Sequence, residues 1–162
     1  MKKICGLTTL PITIKSFMLG NLNYMADNGY KAYAISQPGE VLQKEHLGKV
    51  QFLPLLIKHG NVSPLEVFKT IWKLYKVFKK EQFDIIQYAT SNAALYACIA
   101  GWMARIPVRI YCQWGISYTD YHGMYLWFYK LMEKVTCIFS TSVQPDSPSN
   151  LKFSIEEGLY EA

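Results

Sequence analysis

Several polar and aromatic residues occur in clusters whose chemistry suits a carbohydrate ligand. Gln87 is followed by Tyr88, and Gln113 is followed by Trp114. Aromatic faces stack on sugar rings, while amides bond to sugar hydroxyls. The hydroxyl-rich stretch 8–16 leads into a helix, whose free N–H groups can bind an anion or a hydroxyl. The candidate substrate-binding residues are Thr9, Thr13, Lys15, Gln87, Tyr88, Gln113, Trp114, Gly115, Tyr118, His122 and Asp146.

Each candidate also has a structural interpretation, which the sequence leaves open. Hydroxyl groups before the first helix are typical of an ordinary N-cap. Trp114 could instead belong to the core, and a lone histidine such as His122 is more often structural than catalytic. The segment Gln144-Pro145-Asp146-Ser147 could be no more than a loop and an N-cap, although Asp146 at the carboxyl end of a strand is also where a substrate contact would lie.

The signatures of several other enzyme classes are absent from the sequence. It contains no G-x-x-x-x-G-K-[ST], no G-x-G-x-x-G after the first strand and no G-x-S-x-G. P-loop nucleotide hydrolases, ordinary NAD-binding domains and α/β-hydrolases are therefore excluded. No acidic residue precedes Asp27, which excludes a phosphate-accepting aspartate at the end of the first strand. No cluster of His, Cys, Asp and Glu has metal-ligand spacing, so we predict no metal site.

Strand-like and helix-like segments alternate along the chain, and they must position these residues. Strands are predicted at Lys3–Thr9, Tyr30–Ser36, Val50–Ile57, Asp84–Ala89, Pro107–Gln113 and Cys137–Val143. Because Pro54 interrupts the third strand, we place that strand near an edge of the sheet. The alternation predicts an α/β fold with a doubly wound, mostly parallel sheet and helices on both faces, as one domain over residues 1–162.

The helices are predicted from their periodicity and their end signals. Ser63, Pro64 and Glu66 form a capping box, and the helix that they begin should run to about Gln82. A helix capped by Ser91 or Asn92 is apolar all round, which predicts a buried helix. Apolar faces are predicted at Ile14, Phe17, Met18, Leu22 and Met25, at Phe68, Ile71, Trp72, Tyr75 and Phe78, and at Met124, Phe128, Leu131 and Val135. A helical turn is predicted at Gly39–His46, and a last helix from Ser147-Pro148 to Gly158.

Ligands of doubly wound sheets bind at the carboxyl ends of the strands. The loops at those ends are predicted at Thr8–Thr13, Tyr88–Asn92, Gln113–Tyr118 and Gln144–Asn150.

Composition limits the class of protein. The chain has 162 residues, 51% of them hydrophobic and 18% charged, which excludes global disorder. A net charge of +5 permits an anionic ligand or a membrane surface but does not require nucleic acid. The apolar run 93–104 is too short to span a bilayer. Cys5, Cys98, Cys112 and Cys137 lie far apart in apolar segments, which favours buried thiols in a reducing compartment.

The helix over residues 63–82 carries a stripe of basic side chains. The stripe consists of Lys69, Lys73, Lys76 and Lys80, with Lys79 beside it. Such a stripe is usually a solvated surface, but it could also bind anionic lipid head groups. The aromatic face of the helix is expected to lie opposite the lysines.

The order of these segments resembles the N-terminal half of GT-B glycosyltransferases of the capsular and exopolysaccharide type. The resemblance rests on the opening strand with its Ser/Thr-rich loop, on ADNGY after the first helix, and on FKTIWKLYKVFKKEQFDIIQYATSNAALYACIAGWMARIPVRIY. The family pattern is K-x-x-x-F-D-I-[IV], a small-residue helix and [IV]-P-V-R-I. The resemblance covers nearly the whole chain and implies a Rossmann-like domain that binds mainly the acceptor.

In that family a second domain binds the nucleotide sugar, and the resemblance implies that it is absent here. It further implies that this domain binds no cofactor, with a nucleotide sugar as co-substrate of the complete enzyme. Retaining hexosyl transfer to a lipid-linked acceptor, at the cytoplasmic face of the membrane and without a metal, is the expected reaction. Many relatives have His-Gly where this chain has Trp114-Gly115, so the catalytic residue is left unassigned.

Two further expectations follow from the resemblance. The first is that a lone acceptor domain is inactive and exposes apolar surface where a second domain would pack, which would allow a homo-oligomer. The second is an alternative function, namely a non-catalytic carbohydrate or nucleotide-sugar binding module that works with a separate partner chain.

Overall fold

A six-stranded parallel sheet forms the centre of the computed structural model, which describes residues 1–42, 45, 47–58, 63–116, 118–119 and 121–160. The strands are β1 (Lys3–Leu7), β2 (Lys31–Ser36), β3 (Gln51–Pro54), β4 (Ile85–Tyr88), β5 (Val108–Gln113) and β6 (Ser142–Pro145). Their order is β3-β2-β1-β4-β5-β6, and all five pairs are parallel. The predicted parallel α/β fold is confirmed, and β3 is the predicted edge strand.

Helices cover both faces of the sheet. They are α1 (Pro11–Thr13), a π-helical turn (Ile14–Met18), α2 (Leu19–Asp27), a 3₁₀ turn (Glu40–Leu42), α3 (Pro64–Glu81), α4 (Ser91–Met103), α5 (Gly123–Phe139) and α6 (Pro148–Glu156). Successive residues of β2 belong to different apolar clusters, because Ala32 and Ala34 pack towards α2 while Tyr33 and Ile35 pack towards α3 and α4. This alternation is that of a strand buried on both faces.

The predicted start of α3 is confirmed, whereas the predicted cap of α4 at Ser91 or Asn92 is wrong, because Thr90 is the N-cap residue and makes no side-chain cap bond. The Ser63 side chain accepts a hydrogen bond from the Glu66 N–H, and Pro64 occupies the first turn of α3. The uniformly apolar α4 is buried along most of its length, as its composition predicts. Among the described residues, no helix is both long and apolar enough to cross a membrane.

Three predictions about these elements are wrong or incomplete, two concerning their bounds and one concerning a buried face. The segment predicted as strand Cys137–Val143 begins as helix, since α5 continues to Phe139 and β6 starts only at Ser142. Within Gly39–His46 the structure has a short 3₁₀ turn, and residues 43, 44 and 46 lie outside the described residues. The π-helical turn changes the helical phase, so that Phe17, predicted on the buried face, is exposed.

The apolar face predicted for α5 is turned away from the core. Met124, Phe128 and Leu131 are exposed, and Met124 retains 81% of its accessible surface. The helix instead buries Glu133, together with Thr136 and Cys137. The periodicity therefore identifies the helix correctly and its buried face incorrectly, because a carboxylate with buried partners determines how α5 is rotated.

In α3 the predicted apolar face is only partly buried. Leu74 and Phe78 are in the core, whereas Phe68 and Trp72 are exposed. Trp72 lies beside the lysine stripe and not opposite it, since the Lys76 Nζ is 5.9 Å from the centre of its ring. The expectation that the aromatic face of this helix lies opposite the lysines is therefore wrong.

All four cysteines are buried and free, as predicted. Burial raises the pKa of the Cys112 thiol to about 11 and that of Cys98 to about 12. Thiols with such pKa values are poor nucleophiles near neutral pH.

Candidate functional site

A cavity of about 410 Å³ opens at the carboxyl edge of the sheet, where β1 and β4 are neighbours. The chain leaves β1 towards one side of the sheet and β4 towards the other, which is the position where doubly wound folds bind ligands. The cavity is lined by Thr13, Phe17, Thr90, Ser91, Tyr111, Cys112, Trp114, Gly115 and Ile116. Of the predicted site residues, the structure therefore brings Thr13, Trp114 and Gly115 together.

An aromatic pair forms one side of this cavity. The rings of Phe17 and Trp114 are 5.0 Å apart and inclined by 39°. Trp114 directly follows β5 and is 37% exposed, which is the position that the sequence predicts for it. Gly115, with a φ of +102°, turns the chain immediately after it. The exposed indole face is suited to stacking on a sugar ring.

Thr90 also lines the cavity. Its backbone has a φ of +66°, a conformation that β-branched residues rarely adopt. The Thr90 Oγ1 accepts a hydrogen bond from the Thr9 N–H at 3.1 Å, and the two threonine hydroxyls share a second one at 2.8 Å. These bonds join the carboxyl ends of β1 and β4. They also hold the first turn of α4, which has no side-chain cap, at the cavity.

The role of Thr90 can be tested by stability. Replacing Thr90 with Ala removes the acceptor of the buried Thr9 N–H, and leaving such a donor unpaired costs about 1–3 kcal/mol. Thr90→Ser keeps the hydroxyl and should lose less than half as much. Urea denaturation of the three proteins measures the difference. Equal losses for Ala and Ser would show that the hydroxyl does not hold the two strands together.

Gln113, predicted to contact substrate, is instead fully buried. Its Nε2 donates to the Glu133 Oε1 at 2.7 Å, and its Oε1 accepts from the Ser154 hydroxyl at 3.1 Å and from the Tyr160 hydroxyl at 3.2 Å. The prediction that Gln113 contacts substrate is therefore wrong, because both the nitrogen and the oxygen of its side-chain amide are hydrogen-bonded inside the protein. The network ties β5 to α5 and to the segment around α6, and so fixes the strand end that carries Trp114.

Glu133 is the acidic centre of that network. It also accepts a hydrogen bond from the Tyr111 hydroxyl at 2.8 Å. Burial raises the pKa of the Glu133 carboxyl above its ordinary value, and the bonds from Gln113 and Tyr111 oppose that rise. Sequence reasoning missed this residue because its partners lie 20 and 22 positions away. The signal available in the sequence was that Glu133 is the one acidic residue in the mostly apolar stretch 123–139.

Three other predicted contacts are also buried. Tyr88 shares a hydrogen bond of 2.7 Å with the Ser140 hydroxyl, Thr9 is bonded to Thr90, and Tyr118 packs near Phe153. The expectation that these side chains face a ligand is corrected. The hydroxyls of Tyr88 and Thr9 join strands to neighbouring elements, whereas Tyr118 contributes its ring to the core.

The remaining candidates lie at the surface around the carboxyl edge. Lys15 and His122 are exposed, and Gln87 is half-buried and accepts a hydrogen bond from the Asn21 side chain. Asp146 is exposed, and its carboxylate accepts hydrogen bonds from Asn150 and Ser147 at the start of α6. The cap of α6 is Ser147, whose hydroxyl accepts a hydrogen bond from the Asn150 N–H at 3.2 Å, and Asp146 is bonded to the side chains of this cap.

The comparison with known proteins decides the family. Residues 4–144 match the family model described as glycosyl transferase 4-like. The chain belongs to that family. This glycosyl transferase 4-like domain is 23% identical over 142 residues to the capsular polysaccharide biosynthesis glycosyltransferase CapM of Staphylococcus aureus. That match covers 88% of this chain and 36% of CapM, so the domain spans about a third of that relative.

Two other proteins resemble the domain, one in part of its sequence and one in its fold. The domain is 30% identical over 67 residues to the UDP-Gal:alpha-D-GlcNAc-diphosphoundecaprenol alpha-1,3-galactosyltransferase of Escherichia coli, over 41% of this chain and 17% of that enzyme. The structure of UDP-N-acetylglucosamine 2-epimerase from Rickettsia bellii superimposes with a TM-score of 0.73 at 15% identity, covering 99% of this chain and 43% of that one. The resemblance to the N-terminal half of GT-B glycosyltransferases, and the Rossmann-like fold, are thereby confirmed.

Proposed function

We propose that this glycosyl transferase 4-like domain binds the acceptor of a surface-polysaccharide glycosyltransferase. The complete enzyme would transfer a hexosyl unit from a nucleotide sugar to a lipid-linked glycan, with retention as the family resemblance implies. The observation that carries the proposal is the cavity beside Trp114, at the sheet edge where this fold binds ligands. The functions of the capsular and undecaprenol-linked relatives support the substrate class.

The contribution of the domain to catalysis would be positioning. The cavity joins a stacking surface, Trp114 with Phe17, to the hydroxyl groups of Thr13 and Ser91 and to the amino end of α4. Hydroxyl groups and backbone N–H groups bind sugar hydroxyls, and the indole sets the plane of the ring. Holding two reactants in reacting geometry can lower a barrier by about 7–11 kcal/mol. The donor would be held by a second domain, on the same polypeptide or on a partner chain.

Calorimetry and a transfer assay test whether this domain binds the acceptor while a second domain binds the donor. We expect the 162-residue chain to bind a polyprenyl diphosphate-linked glycan, to bind free UDP or GDP weakly at most, and to transfer no sugar by itself. Transfer should appear when a donor domain from the same family is joined to it or added separately. Turnover by the chain alone would contradict the proposed location of the active site. Tight binding of a nucleotide sugar with no affinity for the acceptor would favour the alternative, a nucleotide-sugar binding module.

A further inference from the structure

The π-helical turn between α1 and α2 gives Phe17 an unusual position. Ile14 and Met18, the first and last residues of that turn, are buried, whereas Phe17 is 67% exposed. π-Helical turns are rare, and they occur often at functional sites. In this domain the turn directs a large aromatic ring out of the core and to the candidate cavity, which Phe17 lines.

The core beneath this segment is already filled. Met18 and Leu22 pack so closely on β1 that a Cβ added to Gly6 would lie 3.0 Å from the Met18 Sδ and 3.0 Å from the Leu22 Cδ1. A core packed at this density leaves no space for a further aromatic ring. Packing therefore explains why Phe17 lies outside the core, but it does not explain why its ring lies against Trp114 at the cavity.

Phe17 and Trp114 present two stacking planes that one sugar cannot share. Their ring centres are 5.0 Å apart and their planes are inclined by 39°. A single sugar ring is about as wide as one aromatic ring, so it can lie flat on only one of the two planes. A glycan of two sugars bends at its glycosidic bond and can place one ring on each plane. The cavity, at about 410 Å³, is in the size range of pockets that enclose ligands larger than one sugar ring.

A hydroxyl group lies on the same side of the helical segment as Phe17. Thr13, four residues earlier, also lines the cavity. Residues four apart on a helix are neighbours on its surface. An aromatic ring beside a hydroxyl is the combination that binds a sugar, because the ring covers its apolar face and the hydroxyl bonds to its edge.

We propose that Phe17 and Thr13 form a second sugar subsite beside Trp114, so that the domain takes an acceptor of at least two sugar units. This inference rests on the proposed function, because it assumes that the cavity binds the glycan of the acceptor. It extends that function by assigning the ring of Phe17 to a sugar of its own, in addition to its contact with the indole.

Calorimetry with the 162-residue chain tests the second subsite. The probes are farnesyl diphosphates that carry one or two sugar units, built from glucose, galactose or N-acetylglucosamine. We expect the best two-sugar lipid to bind at least tenfold more tightly than its one-sugar counterpart. Phe17→Ala should lower the two-sugar affinity about tenfold, the equivalent of ~1.4 kcal/mol, and change the one-sugar affinity less than threefold. Trp114→Ala should weaken the binding of both lipids.

Three further variants separate a sugar subsite from packing. Phe17→Tyr keeps an aromatic ring and should bind the two-sugar lipid within threefold of the wild type. Thr13→Val keeps the shape of the side chain without its hydroxyl and should weaken the two-sugar lipid alone. The matched control is Tyr24→Ala, which removes an aromatic ring that is 65% exposed on α2 and does not line the cavity. It should leave both affinities unchanged.

Two results would overturn the second subsite. One is that Phe17→Ala causes no loss, or equal losses with the one-sugar and two-sugar lipids, because Phe17 would then at most support the indole. The other is equal affinity of the unmodified chain for the two lengths. In both cases the one-sugar lipid still binds, so the proposed function stands. Failure of every lipid to bind would instead contradict the proposed function, and the second subsite with it.

Discussion

Replacement of Trp114 with Ala should lower the kcat/KM of the complete glycosyltransferase about 70-fold while leaving the folding stability of this domain almost unchanged. The indole is 37% exposed and lies at the mouth of the cavity. If a sugar covers about 100 Å² of the ring, burial at ~25 cal/mol/Å² contributes about 2.5 kcal/mol, which corresponds to that loss. Steady-state kinetics and a thermal melt measure the two effects.

The matched control for Trp114 is Trp102. It is also exposed, but it lies at the C-terminal end of α4, packed against Phe139 and remote from the cavity. Trp102→Ala should therefore leave kcat/KM within twofold. Phe17→Ala should show part of the Trp114 effect, since its ring supports the indole. A loss of stability as large as the loss of turnover in Trp114→Ala would assign Trp114 to packing and contradict its role as a sugar platform.

Replacement of Glu133 with Ala should cost about 3–6 kcal/mol of unfolding free energy, enough to unfold many domains of this size. The change leaves the Tyr111 hydroxyl and the Gln113 Nε2 as unpaired buried donors, at ~1–3 kcal/mol each, and adds a cavity. Glu133→Gln keeps an oxygen in the same place and should cost much less. Urea denaturation at pH 7 compares them, and equal losses for Ala and Gln would contradict a role as acceptor.

The same pair of proteins gives a pH signature. Because the pKa of Glu133 is raised above its ordinary value of 4.5 in the folded state, the folded protein holds a proton that the unfolded chain releases above that pH. Unfolding then releases a proton, so the stability of the wild type falls as the pH rises through this range. We expect the wild type to lose stability relative to Glu133→Gln as the pH rises above about 4.5. A difference independent of pH would show that the carboxyl is not buried as described.

Local signals in the sequence were sufficient for the elements and their order. The capping box at Ser63 and the uniformly apolar stretch of α4 depend on contacts within one or two turns, and both were confirmed. The alternation of strands and helices implies a parallel sheet because a crossover helix is needed to return the chain in the same direction. That topology also predicted which loops lie at the carboxyl edge of the sheet, including the loop that carries Trp114.

Only the tertiary structure decided which side chains face a ligand. Gln113 and Trp114 are neighbours in sequence, but only Trp114 lines the cavity. The side chain of Gln113 is buried and hydrogen-bonded to Glu133, Ser154 and Tyr160. These partners lie 20 to 47 positions away, beyond the reach of any local pattern.

The rotation of α5 was decided in the same way. Hydrophobic periodicity shows that a helix has an apolar face but not whether the core or another surface covers it. In α5 the buried side carries Glu133 with its two donors, while Met124 and Phe128 of the predicted apolar face are exposed. The sequence by itself therefore determined the fold and the sheet edge that carries the candidate site, whereas the side chains that line this site and the buried side of α5 depend on contacts between distant residues, which form only in the folded chain.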